Sequence, residues 1–164
     1  MSMIGSFMEL TPSRLATLLD SSDEIEGLLF DDEAEGRIAQ FDVDKAWHGM
    51  HFLLTGKSWG GDGPEAMAVL GGEPVGEDLG YGPARYVTPA QVAEIAKSLE
   101  AISRDQLQRR FVPAELEKAE IYPQGTWEDE GLEAFEYLMQ GFEELVSFYR
   151  QAAANGNAVL LYLS

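Results

Sequence analysis

A chain of 164 residues, 45% of them hydrophobic, is long enough for one domain around a single core and short for two. Twenty-nine acidic residues against 11 basic ones give a net charge of −18, which repels nucleic-acid phosphates and anionic lipid headgroups and excludes nucleic acid and membrane surfaces as partners. With no cysteine, the chain builds neither a disulfide framework, a thiolate metal site nor a thiol nucleophile, which fits a reducing cytoplasm.

In chain order, Met3 to Leu10 is short, apolar and rich in large side chains, the pattern of a strand. The opening MSMIGSFMEL carries Glu9, has no basic residue and lacks the apolar run of a signal peptide or membrane span, so a cytoplasmic protein is expected. Thr11-Pro12 then supplies an N-cap and a first-turn proline for a helix whose buried stripe is Leu15, Leu18 and Leu19. Asp20 to Glu35 holds eight carboxylates and no cation, and is expected to be a loop or loosely packed connection around Ile25, Leu28 and Leu29.

The next helix, FDVDKAWHGMHFLLTG, divides into two stripes when its residues are placed at 100° intervals. Val43, Ala46, Trp47, Met50, Leu53 and Leu54 face the core; Asp44, His48, His51 and Thr55 share the other side, where Asp44 comes within reach of a His48 ring nitrogen. Nine of the 17 glycines follow between Gly56 and Gly82, so residues 56–86 are expected to form an extended loop with tight turns, bridged by a short strand at Ala66 to Leu70 and closing on another at Arg85 to Val87.

Thr88-Pro89-Ala90-Gln91 is a capping box with proline at the first helical position, and Val92, Ile95, Ala96 and Leu99 continue it at helical spacing. Ser103 and Gln106 repeat the box for a short helix ending near Arg110, and Pro113 opens another through Leu116 and Ala119. From Leu132 onward, Phe135, Leu138, Met139, Phe142, Leu145, Val146, Tyr149 and Ala153 give one long amphipathic helix, stopped by Asn155-Gly156-Asn157. Its polar side belongs to a second carboxylate run, seven residues between Glu128 and Glu144 without Lys or Arg. Ala158 to Leu163 lacks polar alternation and reads as a central strand covered on both faces.

These elements predict an α/β fold, a single-domain three-layer sandwich over residues 1–164 with a mixed sheet and helices on both faces.

Chemistry concentrates between Phe41 and Tyr86. Asp44, His48 and His51 are the catalytic candidates, one imidazole serving as general acid or base oriented by Asp44. The same three side chains are donors a divalent metal accepts, but the chain has only these two histidines and lacks the HxxxH and HExxH spacings, so no metal and no cofactor is expected. The candidate ligand-binding set is Trp47 with Glu77, Asp78, Tyr81, Arg85 and Tyr86; Arg85 would either satisfy a buried carboxylate or hold an anionic ligand group. GGDG at Gly60 to Gly63 lacks the Lys-Ser/Thr of a P-loop, and Ser58 in GKSWG lacks the GxSxG context of a serine hydrolase.

In DKAWHGMHFLLTG, GGEPVGEDLGYGPARYVTP, the opening MIGSFMEL and the closing NAVLLYLS, the chain resembles the YfbM-like family of small bacterial proteins, a domain of unknown function, over its whole length. The resemblance implies a single layered α/β domain in a bacterial cytoplasm and carries over no activity and no catalytic residues. A binding or interaction protein recognising a basic protein partner or a small ligand is therefore expected. The alternative is an enzyme using the histidine pair for hydrolysis or proton transfer on a small anionic substrate.

Overall fold

The computed structural model describes residues 2–164. The chain runs β1 (Gly5–Leu10), α1 (Pro12–Asp20), α2 (Ile25–Phe30), β2 (Arg37–Asp42), α3 (Trp47–Thr55), α4 (Pro64–Leu70), β3 (Glu73–Asp78), β4 (Pro83–Val87), α5 (Pro89–Glu100), α6 (Arg104–Arg110), α7 (Pro113–Lys118), α8 (Trp127–Glu130), α9 (Leu132–Ala154) and β5 (Ala158–Leu163). The five strands form one sheet in the order β2-β1-β5-β4-β3. β5 lies at its centre, as its unbroken apolar run predicts.

The sheet is antiparallel throughout, which corrects the expected mixed sheet. Parallel neighbours arise when one crossover helix returns the chain to the same end of the sheet. Here β3 and β4 form a hairpin, and α5 to α9 intervene between β4 and β5, so β5 re-enters running against both β1 and β4.

Side chains alternate across the sheet and feed two separate cores. Met8, Leu10, Leu160, Ala84 and Val75 pack with Leu18, Ile25, Leu28 and Leu29 of α1 and α2. Phe7, Val87, Val159 and Leu161 point the other way, into a larger core with α3, α4, α5 and α9. Asp20 to Glu35 is thus more ordered than expected. Its spaced apolar residues Ile25, Leu28 and Leu29 make α2 amphipathic, and their burial against the sheet outweighs the surrounding carboxylates.

Ala66 to Leu70 is helix α4, not a strand. A short apolar run is ambiguous by periodicity alone; Pro64 at the first helical position, after Gly63 at the N-cap, decides it here. The glycine-crowded region accordingly holds a helix and a hairpin. Gly72, at φ 91°, makes the turn between them in a conformation closed to larger residues.

Two glycines let α3 and α9 approach closely. A Cβ on Gly49 would lie 2.7 Å from Leu138 Cδ2 and 2.8 Å from Trp127 Cη2; one on Gly141 would meet Met50 Sδ at 3.0 Å. Both capping boxes form as predicted, Thr88 with Gln91 and Ser103 with Gln106.

Candidate functional site

The turn before α3 decides where the polar side chains go. Asp44–Ala46 is a 3₁₀ turn, and Asp44, at φ 51°, stands outside the helical phase that would carry its carboxylate over His48. Asp44 Oδ2 instead accepts the Tyr137 hydroxyl of α9 at 2.6 Å, while Tyr137 Oη accepts the Lys45 N–H at 3.0 Å. Partial burial and the bond to Asp44 push the Tyr137 phenol up to about 12. The expected Asp44–His48 pair does not form.

His48 and His51 lie under the segment that leaves α3 at Gly56. The Tyr122 N–H donates to His48 Nδ1 at 2.9 Å, which places the ring proton on Nε2, and that N–H donates to the Ser58 carbonyl at 2.9 Å. Trp47 and Trp59 flank the imidazole with ring centroids 4.9 and 4.7 Å away. His51 Nε2–H donates to the Gly60 carbonyl at 3.0 Å, leaving Nδ1 buried without a partner. The two residues are 3% and 0% exposed.

Burial lowers both pKa values. For His48 the bond to Ser58 offsets part of it; for His51 the bond to Gly60 does the same, but the charges of His48 and Arg85 act with burial and bring it to about 4. Both rings are neutral staples fastening loop carbonyls to α3. The Ser58 hydroxyl continues the clasp by donating to the Ala119 carbonyl at 3.2 Å.

The remaining predicted residues do not join the histidines around one opening. Trp47 is buried, its Nε1–H donating to the Met3 carbonyl at 2.9 Å. Arg85 and Tyr86, adjacent on β4, point to opposite faces of the sheet. Arg85 is half-buried and donates to the Leu70 carbonyl at 3.0 Å, capping the C-terminal end of α4 rather than satisfying a buried carboxylate, the first of the two roles expected of it; burial lowers its pKa. Asp78 Oδ1 accepts the amides of Gly80 and Gly82 at 2.6 and 3.2 Å and so shapes the hairpin turn. Tyr81 packs against the larger core, Tyr86 against the smaller one, and Glu77 is exposed.

The open concavities are elsewhere. A groove of about 560 Å³ runs between β2 and α9, lined by Ala39, Phe41, Glu143, Glu144, Phe148 and Gln151. A hollow of about 110 Å³ adjoins it, sharing Gln140 and Glu144 and adding Asp42, Asp44 and Tyr137. Neither lining contains Lys or Arg. The floor is aromatic, with the Phe41 and Phe148 rings 4.6 Å apart. A cleft of about 320 Å³ between α2 and the hairpin is lined by Glu26, Phe30, Asp78 and Tyr162, and one of about 440 Å³ at the end of α3 by Thr55, Arg110 and Glu115.

The profile of the family described as Domain of unknown function (DUF1877) matches residues 1–162. The chain belongs to this family. Among DUF1877 relatives it is similar to Protein YfbM of Escherichia coli (strain K12), 33% identical over 165 residues that cover 98% of this chain and 97% of the relative. Its fold is similar to the crystal structure of a protein of unknown function, YfbM from Escherichia coli, with a TM-score of 0.79 and 31% identity over 98% of this chain and 99% of that one. Neither the DUF1877 description nor these relatives' names state an activity, so the chemistry of this chain's own surface carries the functional argument.

One wall of the β2–α9 groove is legible in the sequence, because Glu143 and Glu144 close the run from Glu128. The other wall is not. Phe41 and Ala39 belong to β2, whose partner strand precedes it across two helices, and only that pairing turns them toward α9.

Proposed function

We propose that this DUF1877 protein is a binding protein that recognises a basic protein partner through its anionic surface. The observation that carries the proposal is the β2–α9 groove: Asp42, Asp44, Glu143 and Glu144 surround an aromatic floor with no cation among the lining residues. At a net charge of −18 the long-range field attracts a cationic partner from every side, and the uncompensated groove gives that attraction an address. The cleft at Glu26 and Asp78 offers the same chemistry to a small cationic ligand.

The enzyme alternative draws no comparable support. A general acid or base must reach substrate, whereas the two imidazoles are shut under the Lys57–Gly61 segment. Two structural readings accompany the proposal. Separate cores on the two faces support taking the sheet as the middle of three layers. The absence of cysteine supports a cytoplasmic setting; among the described residues, no helix is long and apolar enough to cross a membrane.

The test is a titration of the full chain with poly-L-lysine, read by fluorescence anisotropy at about 0.01 M and about 0.15 M salt. Affinity is expected to fall at least about tenfold between the two. Reversing Glu143→Lys with Glu144→Lys should weaken binding more than the equal change Glu73→Lys with Glu77→Lys on the opposite edge strand. Equal effects of the two reversals, or salt-insensitive binding, would overturn the proposal.

A further inference from the structure

The edge of the sheet beside the groove has a free hydrogen-bonding ladder. Val43 N–H donates to the Gly5 carbonyl at 3.0 Å, and the register pairs Ser6 with Asp42, Phe7 with Phe41, Met8 with Gln40 and Glu9 with Ala39. In an antiparallel pair the inward-bonding residues alternate, so Val43, Phe41 and Ala39 bond to β1 while the amides and carbonyls of Gln40 and Asp42 face away from the sheet. The outer neighbours of β1 agree: Ile4 and Ser164 exchange bonds at 2.8 and 3.0 Å, which gives Ser6 and Met8 to β5 and leaves the alternate residues for β2.

The two edges of the sheet are guarded differently. β3 carries Pro74 and a register irregularity between Val75 and Asp78, devices that discourage a further strand. β2 has no proline, and its own register irregularity is confined to its start, where Ile38 is left unpaired between Arg37 and Ala39, so Ala39 to Asp42 is regular; among the described residues no element covers its outer side in the sheet order. Its exposed side chains include Ile38, an apolar residue on an edge where charge would ordinarily be placed.

We infer that β2 takes an extended segment of a basic partner as an added antiparallel strand, continuing the antiparallel pairing of the sheet, whose alternate side chains enter the β2–α9 groove. This rests on the proposed recognition of a basic partner and specifies how it docks. Backbone bonds to Gln40 and Asp42 supply the pairing. Apolar side chains on the groove side cover Phe41 and Phe148, and Lys or Arg residues two positions away, on that same side, reach Asp44, Glu143 and Glu144. Charge selects this occupant over a second copy of the chain, because pairing two β2 edges would bring two sets of these carboxylates together without cations.

The probe is a six-residue peptide matched to β2, with Lys, Val and Lys at alternate positions on one side and Thr at the positions between, and two derivatives N-methylated at alternate positions so that each blocks one edge of the peptide. Binding to the full chain is followed by anisotropy, and amide exchange of Gln40 and Asp42 by NMR. One methylated derivative is expected to bind at least about tenfold more weakly than the other, since it alone loses the donors that meet β2. The Gln40 and Asp42 amides are expected to gain protection. Gln40→Pro removes an outward donor without removing a bond to β1, and should weaken the parent peptide while the thermal unfolding transition stays cooperative.

If the peptide binds with salt dependence but the two derivatives bind equally and neither amide is protected, strand addition is overturned and anionic recognition stands. Failure of the parent peptide and of poly-L-lysine to bind at about 0.01 M salt overturns both. A dimer of the free protein that Gln40→Pro dissociates would assign the edge to a second copy and overturn the basic occupant. Should that variant fail to fold, the methylated pair and the exchange measurement decide alone.

Discussion

The Tyr122 amide donates to His48 Nδ1 at 2.9 Å, and from that one bond the protonation state of the ring follows. An imidazolium has no lone pair to receive an N–H, so protonating His48 breaks this bond, while protonating His51 puts charge beside Arg85 in a buried site. The folded pKa of His51 is about 4 against an ordinary 6.5. Between those values the unfolded chain binds more protons than the folded one, so the stabilisation is full above about 6.5 and is lost as pH falls toward 4. For His51 alone it is on the order of 3 kcal/mol. Urea midpoints measured across this range should fall steadily with acid, and His51→Gln should flatten the slope even if it lowers stability overall. An NMR titration of His51 centred near its ordinary value would refute this.

Gly49 is where α3 meets α9, and the contact leaves no room for a methyl group: Leu138 Cδ2 and Trp127 Cη2 both lie within 3.0 Å of where a Cβ would stand. Gly49→Ala should therefore destabilise by about 1–3 kcal/mol despite the better helix propensity of alanine. Its urea midpoint should drop at unchanged m-value. In a double-mutant cycle with Leu138→Ala, the second change should cost less in the Gly49→Ala background than alone, because it removes one clashing atom.

What was legible in the sequence and what was not divides by the range of the interactions. Thr88 with Gln91 and Ser103 with Gln106 announce their helices because a capping box is complete within four residues. The 23 residues of α9 announce themselves by sustained periodicity, and β5 by an apolar run that both sheet faces require. β2 escaped notice because Ile38, its strongest strand former, is exposed while Ala39 turns inward, so the alternation is inverted. Helical spacing sets the histidines on the side of α3 opposite the core stripe, yet both rings are buried and His48 stacks on Trp47. That side is closed by backbone donors and acceptors at Ser58, Gly60 and Tyr122, which no residue identity signals.

Arg37 ties the start of β2 to the end of α2. Its Nη1 donates to the carbonyls of Leu28, Leu29 and Asp31 at 3.3, 3.2 and 3.0 Å, the first two in the last turn of the short helix, where no intrahelical donor follows, and its Nη2 lies 3.1 Å from Asp32 Oδ1. Replacing it with Gln should cost about 1.5–3 kcal/mol, the scale of hydrogen bonds to a charged donor that is largely buried. Hydrogen exchange of α2 amides should accelerate before that of β5. Arg37→Lys should recover only part of the loss, since a compact ammonium cannot reproduce the planar spread of guanidinium donors. Full recovery by Lys would show that charge alone matters here.

Glu9 is fully buried on β1, where Asn155 and Asn157 each donate a side-chain amide to Oε2, at 2.9 and 2.6 Å, and Oε1 has no partner. The carboxyl stitches the end of α9 and the start of β5 to the strand between them. Two consequences pull apart. Glu9→Ala leaves the buried Asn157 amide without its acceptor and opens a cavity, so a loss of about 2–4 kcal/mol is expected. Glu9→Gln keeps an oxygen for the two amides and relieves the burial of an unpaired charge, so its cost should stay within about 1 kcal/mol. Thermal or urea unfolding of the two variants measures the difference. A Gln variant as unstable as the Ala variant would show that the charge on Glu9, rather than its acceptor oxygen, holds the α9–β5 junction.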